Sequence, residues 1–342
     1  MIKQSISIVS ILAFVAITIS VCNGQPLSDS IFFQQNLVPF AKGNNHHRYR
    51  FIKNYTEKND LKNLSVKTQA IDWLGLYKNV IVEKKGKTDS IIYIVCHYDK
   101  IDGSLLSFPN LLLNGSLDIL FSNIFLSKGA YDNGTGVVSS LALLEWISTR
   151  DTHYTYRFLF AGMEEYGLRG SRRHVSGLPK KEWDKCIYAI NIDMIAAKET
   201  RGITITENVS SNKLIGIATQ VTHTNNITLA KVVMPKDALS DFHSFTGQSF
   251  FRDFVFSLKV NLVGAFLPQR SYFTKRKKAI PVINFSDDTS FTIADYLSVI
   301  SPVSFGTVHS FHDKMSRVSM KNLLEYSEFF KLYIDSIEGI HK

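Results

Sequence analysis

Three apolar runs in this 342-residue sequence each give way to side chains that bind metals or move protons. Ile91-Ile92-Tyr93-Ile94-Val95-Cys96 leads into His97-Tyr98-Asp99, the run from Tyr156 to Ala161 is followed by Glu164-Glu165, and the run from Cys186 to Ile192 ends at Asp193. Imidazole nitrogens and carboxylate oxygens are the donors that zinc accepts, and adjacent carboxylates can divide metal binding and proton transfer between them. Each cluster alone has a plainer explanation: a strand-end histidine is ordinarily packed or capping, and an acidic pair is ordinarily a solvated turn. Three such endings in one chain are harder to explain that way. Asp132 adds an acidic turn within Gly129-Ala130-Tyr131-Asp132-Asn133-Gly134-Thr135-Gly136, whose glycines permit close backbone approach; taken singly it reads as a helix cap. His309-Ser310-Phe311-His312-Asp313 supplies further imidazoles.

The elements that must hold these residues follow from the pattern around them. Continuous apolar runs rich in branched and aromatic side chains predict strands buried on both faces. Between the first two, Val137, Leu141, Leu144 and Ile147 recur as one face of a helix. Strand, helix and strand in that order form a crossover unit of a parallel or mixed sheet, and sites form where such strands end at the carboxyl edge. Leu323, Tyr326, Phe330, Ile334 and Ile337 predict a C-terminal helix packed back on the sheet. From Gln25 to about Thr88 the sequence is polar and basic and predicts a leading helix followed by an edge strand. Residues 101–128 and 246–279 look like insertions into one domain spanning 25–342, and there is no internal repeat.

Bulk properties narrow the class. A hydrophobic share of 45% supports a substantial core. The net charge of +9 would suit nucleic acid, but the basic residues are scattered and their densest cluster, Lys275 to Lys278, is a single loop-like patch. Met-Ile-Lys followed by an apolar run from Ile6 to Val21 and a small-residue exit predicts a signal peptide over residues 1–24, hence export to the periplasm or medium. A membrane anchor competes with that reading, but the run is short beside the roughly 20 residues of a spanning helix. Lipidation of Cys22 is the minor alternative. Of the remaining cysteines, Cys96 and Cys186 sit at opposite ends of their predicted strands, too far apart for a disulfide, whose alpha carbons must come within about 7 Å.

Taken in order, CHYD (Cys96 to Asp99), GAYDNGTG (Gly129 to Gly136), EEYGLRGS (Glu164 to Ser171), NIDMI (Asn191 to Ile195) and HSFHD (His309 to Asp313) resemble the motifs of the zinc aminopeptidases with paired metal ions. Secreted leucine aminopeptidases belong to that family, with glutamate carboxypeptidases and glutaminyl cyclases as relatives. The resemblance implies an α/β fold of three α/β/α layers, with a central, mostly parallel mixed sheet of the phosphorylase/hydrolase-like zinc exopeptidase type. It further implies two zinc ions bridged by Asp132, one also held by His97 and Asp193, the other by Glu165 and His309. Glu164 falls on the general base that takes a proton from the metal-bridged water, so the expected reaction removes N-terminal residues from a peptide or a small aminoacyl substrate. His309 is preferred to His312 because the family spacing places an aspartate four residues after the ligand, where Asp313 stands. Asp99, two residues beyond His97 on the same side of an extended chain, is expected to orient the imidazole and complete the catalytic set.

Departures from the pattern bear on specificity. Tyr131 stands where the family commonly has an aspartate, and Ser240-Asp241-Phe242-His243 carries one residue more than the family's Ser-Asp-His. Two other readings stay open. A single-zinc glutaminyl cyclase would need only Asp132, Glu165 and His309, and a non-catalytic binding protein on the same fold would have lost ligands or the base, whereas all six positions are present.

Overall fold

The computed structural model describes residues 26–58, 61, 63–72, 75–100, 127–165, 167–234, 239–247, 278–287 and 313–339. The expected signal peptide, His309, His312 and nearly all of both expected insertions lie outside the described residues. Two helices lead the chain, α1 (Pro26–Lys42) and α2 (Asn45–Thr56), followed by β1 (Leu64–Ala70) and β2 (Lys78–Lys84). The sequence predicts one helix and one strand here, and the structure has two of each. The polar, basic composition hid the division, since Gly43 and Asn44 break the helical run and the Asn44 side chain accepts from the His47 backbone N–H to start α2.

The rest alternates. β3 (Ile91–His97), α3 (Thr135–Ser148), β4 (Thr155–Ala161), α4 (Arg169–Gly177), α5 (Lys180–Trp183), β5 (Cys186–Ile192), β6 (Ile203–Thr206), α6 (Asn212–Thr224), β7 (Leu229–Val232), β8 (Val282–Phe285) and α7 (Met320–Gly339) complete the α-helices and strands among the described residues. Among the described residues they form one sheet in the order β1-β2-β4-β3-β5-β8-β6-β7. Pairing is parallel for β4-β3, β3-β5, β5-β8 and β6-β7, and antiparallel for β1-β2, β2-β4 and β8-β6. This is the mixed sheet expected from the alternation of runs and helices.

Alternation along the strands divides the core in two. Ile92, Ile94 and Cys96 face a large apolar cluster shared with α1, α3, α6 and α7, while Ile91, Tyr93 and Val95 face a smaller one with Val175, Trp183, Phe242 and Phe245. Helices thus cover both faces, giving three layers. The C-terminal helix α7 packs on α1, α3, α6 and β6, and Lys331 on α7 pairs with Asp29 on α1 at 2.7 Å. Cys96 and Cys186 are both buried thiols outside any disulfide. Ile91, at the start of β3, lies opposite Cys186, which puts the thiols at opposite ends of the pairing as expected.

Candidate metal centre

Strand period and register bring His97 and Asp193 together. Residues 91, 93, 95 and 97 of β3 share one face, as do 189, 191 and 193 at β5, and Val95 lies opposite Asn191. Two residues further along each chain, His97 Nε2 stands 3.2 Å from Asp193 Oδ1 and 3.1 Å from Asp132 Oδ1. All three side chains are buried.

Asp132 arrives from the turn Ala130–Gly134, which precedes α3. Gly134, not Asp132, is the capping position of α3, and no side chain caps that helix end, so the carboxylate is available to the centre. Asn133 fixes the turn: its Nδ2 donates to Ile192 O at 2.9 Å, and its Oδ1 accepts from the Gly136 and Met194 backbone N–H groups. A Cβ on Gly136 would lie 2.3 Å from Asn133 Oδ1, so this contact requires glycine. Asp313 closes the turn from the other side. Its Oδ1 accepts from the Tyr131 N–H at 2.8 Å and from the Asp132 N–H at 3.4 Å, while its Oδ2 accepts from the Ser127 hydroxyl. The Tyr131 ring lies under the Arg317 guanidinium, 4.9 Å from its centroid.

Glu164 and Glu165 lie in the turn after β4, both half-buried. Glu165 joins His97 and Asp132 in a group whose donor atoms all lie within 4.8 Å of one another. The Asp99 carboxylate is placed differently from expectation. It accepts from the Glu164 N–H at 3.0 Å and the Glu165 N–H at 3.3 Å, whereas its Oδ1 stands 3.7 Å from His97 Nδ1. The closer partner of that nitrogen is the Asp99 backbone carbonyl, at 3.2 Å. Asp99 therefore orients the glutamate turn directly and the imidazole through its main chain.

Ser240 and Asp241, noticed in the sequence only as an altered triplet, complete the wall. The Ser240 hydroxyl donates to Asp193 Oδ2 at 2.6 Å and accepts from Asn191 Nδ2 at 2.8 Å. Asp241 is fully buried beside them, with the Ser171 hydroxyl near its carboxylate. The spacing of residues 240–243 was the available signal, but it could not show which carboxylate the serine would reach. His174 is buried on the inner face of α4, 3.0 Å from the Tyr93 hydroxyl.

The electrostatics follow from crowding acids around one imidazole. Burial pushes the Glu164 carboxyl well above the usual range; His97 opposes this, and Glu165, Asp241 and Asp193 add to it. Burial likewise lifts Asp241 to about 7, against the pull of His97. For His97, burial works against the charged form, but Asp193, Glu164 and Asp132 outweigh it and hold the ring protonated well above its ordinary value. Protons thus take up negative charge that cations would neutralise. Imidazole and carboxylate donors in this arrangement suit zinc.

Known proteins share the arrangement's framework. Aminopeptidase YwaD of Bacillus subtilis is 28% identical over 121 residues, which is 34% of this chain and 22% of that protein, so the alignment spans about a fifth of that relative's length. In fold, the chain resembles the LapA aminopeptidase of Legionella pneumophila, with a TM-score of 0.61 and 15% identity over 90% of this chain and 72% of the other. It also resembles the glutaminyl cyclase of Porphyromonas gingivalis, with a TM-score of 0.59 and 16% identity over 90% of this chain and 96% of that one. The sequence profile of peptidase family M28 matches residues 79–257, just over half of the 342 and the stretch that carries His97, Asp132, the glutamate pair and Asp193, and the chain belongs to that family.

Proposed function

We propose that this protein is an exported, zinc-dependent aminopeptidase that binds two zinc ions and releases N-terminal residues from peptides. The observation that carries the reading is the contact of His97 with both Asp132 and Asp193, beside Glu165. A single ion would not need so many acidic donors. Asp132 would be the shared ligand, His97 and Asp193 would hold one ion, and Glu165, with His309 as the motif order implies, would hold the other. Bound zinc supplies a Lewis acid for the scissile carbonyl and lowers the pKa of a water at the site. The chain's own residues do the rest. Glu164, with its backbone N–H held by Asp99, takes a proton on a carboxylate oxygen and returns it to the leaving amine. Burial raises the Glu164 carboxyl well above its usual range, and zinc bound beside it would offset that burial and favour the carboxylate that serves as base.

The likeness in fold to a glutaminyl cyclase, which spans 96% of that chain, favours a second reading in which one zinc serves a cyclisation of N-terminal glutamine. One experiment separates the two: metal analysis of the purified protein, together with a screen of aminoacyl arylamides and N-terminal glutamine peptides with and without a chelator. Two zinc ions per chain and chelator-sensitive amino-acid release are expected. A single tightly held ion, with pyroglutamate formed and no amino acid released, would overturn the peptidase reading.

A further inference from the structure

The first turn of α2 reaches the metal centre from outside it. Asn45 and Arg48, three residues apart, lie on one face of that helix, and both are buried. Arg48 is fully buried with its guanidinium 4.7 Å from the centroid of the Phe40 ring. Its Nη1 donates to Tyr98 O at 3.1 Å, and its Nη2 donates to Lys128 O at 2.6 Å and Gly129 O at 2.8 Å. Tyr98 follows His97, and Gly129 begins the turn that carries Asp132. One planar fork therefore bridges the two segments that deliver neighbouring donors to the centre.

Asn45 strengthens the first of these grips. Its Oδ1 accepts from the Lys100 N–H and its Nδ2 donates to the Lys100 carbonyl, both at 2.9 Å. Lys100 in turn reaches across with its Nζ to Ser127 O at 3.1 Å. Gly129 is fitted to the same contact. It has φ +57°, and a Cβ there would lie 2.4 Å from Arg48 Nη2, so the glycine serves both the left-handed backbone and the approach of the arginine.

We infer that Asn45 and Arg48 on α2 are positioning residues that set the separation of the His97 and Asp132 segments and thereby the affinity of the centre for its metal. The inference rests on the reading of His97 and Asp132 as ligands, but not on the reaction that follows. Lysine at 48 would present a single point donor in place of the fork, so it should hold one segment and release the other. The helix pair that precedes the sheet is thus part of the metal centre's support rather than an appendage.

The test uses the full chain and zinc itself. Arg48→Ala, Arg48→Met, Arg48→Lys and Asn45→Ala are titrated with zinc against a chromogenic chelator, with hydrogen exchange followed on the metal-free proteins. Zinc affinity should fall by about 10–100-fold in the Arg48 variants, the range seen when groups that orient metal ligands are lost. Amides at 98–100 and 128–132 should exchange faster while those of β3 and β4 stay protected. Free guanidinium at sub-denaturing concentration should recover affinity in Arg48→Ala, where it can enter the vacated space, and not in Arg48→Met, where the side chain fills it. Affinity within about twofold of the native protein in folded Arg48→Ala, with unchanged exchange at both segments, would overturn the inference. Should the Arg48 variants fail to fold, Asn45→Ala and Gly129→Ala decide on the same readouts. A native protein that binds no zinc would sink the proposed function, and the exchange pattern would still judge the bracing role.

Discussion

Replacing Ser240 by alanine removes one hydroxyl, the donor to Asp193 Oδ2 at 2.6 Å. The change leaves Asn191 with a partner, because its Nδ2 also donates to Asn284 Oδ1 at 2.8 Å. The same hydroxyl also accepts the His243 N–H at the start of the short helix Asp241–Phe245, so the loss falls on that cap and on a buried carboxylate that no longer has the hydrogen bond fixing its rotamer. A hydrogen bond to a charged group is worth about 1.5–3 kcal/mol, and at about 1.4 kcal/mol per decade this corresponds to roughly a 10- to 150-fold change in an equilibrium constant. Under the proposed ligand set, in which Asp193 would share an ion with His97, only that ion should bind more weakly. The assay is a competition titration of the metal-free protein with zinc and a chromogenic chelator, which resolves two classes of site if two ions bind. Ser240→Ala should weaken one class by that factor and leave the other within about twofold. Two outcomes would refute the reasoning: no change in either class, or equal weakening of both, which would mean general loosening of the site.

Two further predictions address catalysis and pH. Glu164→Gln should keep the fold and zinc content while lowering kcat about 10²–10⁴-fold, the usual contribution of a general base; hydrolysis at the native rate would remove Glu164 from that role. Asp287, buried two residues beyond β8, is lifted by that burial to about 6, despite the opposing hydrogen bonds from the Tyr326 hydroxyl and the Ala197 N–H. Its folded value lies above the unfolded value of 3.8, so the folded state binds the proton more tightly and this group's stabilisation is lost as pH rises through about 6. The gap corresponds to about 3 kcal/mol. Urea unfolding in chelator should show the native protein losing that much relative to Asp287→Asn between about pH 4 and pH 7, whereas a pH-independent difference would contradict the burial argument.

The central strands were legible because their signal is local. A buried parallel strand must be apolar at successive positions, so β3, β4 and β5 appeared as runs, and their polar ends marked the sheet edge where His97, Glu164, Glu165 and Asp193 stand. The helical spacing of α3 and α7 was equally plain. The division of the N-terminal region was not, because α2 hides its few inward residues, Asn45, Arg48, Ile52, Tyr55 and Thr56, among polar neighbours, and polar inward residues leave no apolar stripe to read.

The sequence by itself determined which residues can donate to a metal and that neighbouring strand ends would present them together. Tertiary structure alone decided how the carboxylates divide their work. Asp132 and Asp193 face His97, whereas Asp99 spends its oxygens on the backbone N–H groups of the glutamate turn and Asp313 accepts from the Asp132 turn and the Ser127 hydroxyl. It also recruited Ser240, 47 residues from Asp193, and Arg48, 50 and 81 residues from the carbonyls it joins. The physical reason is that residue type and periodicity act along the chain, while a hydrogen bond between distant segments exists only once packing has fixed both ends.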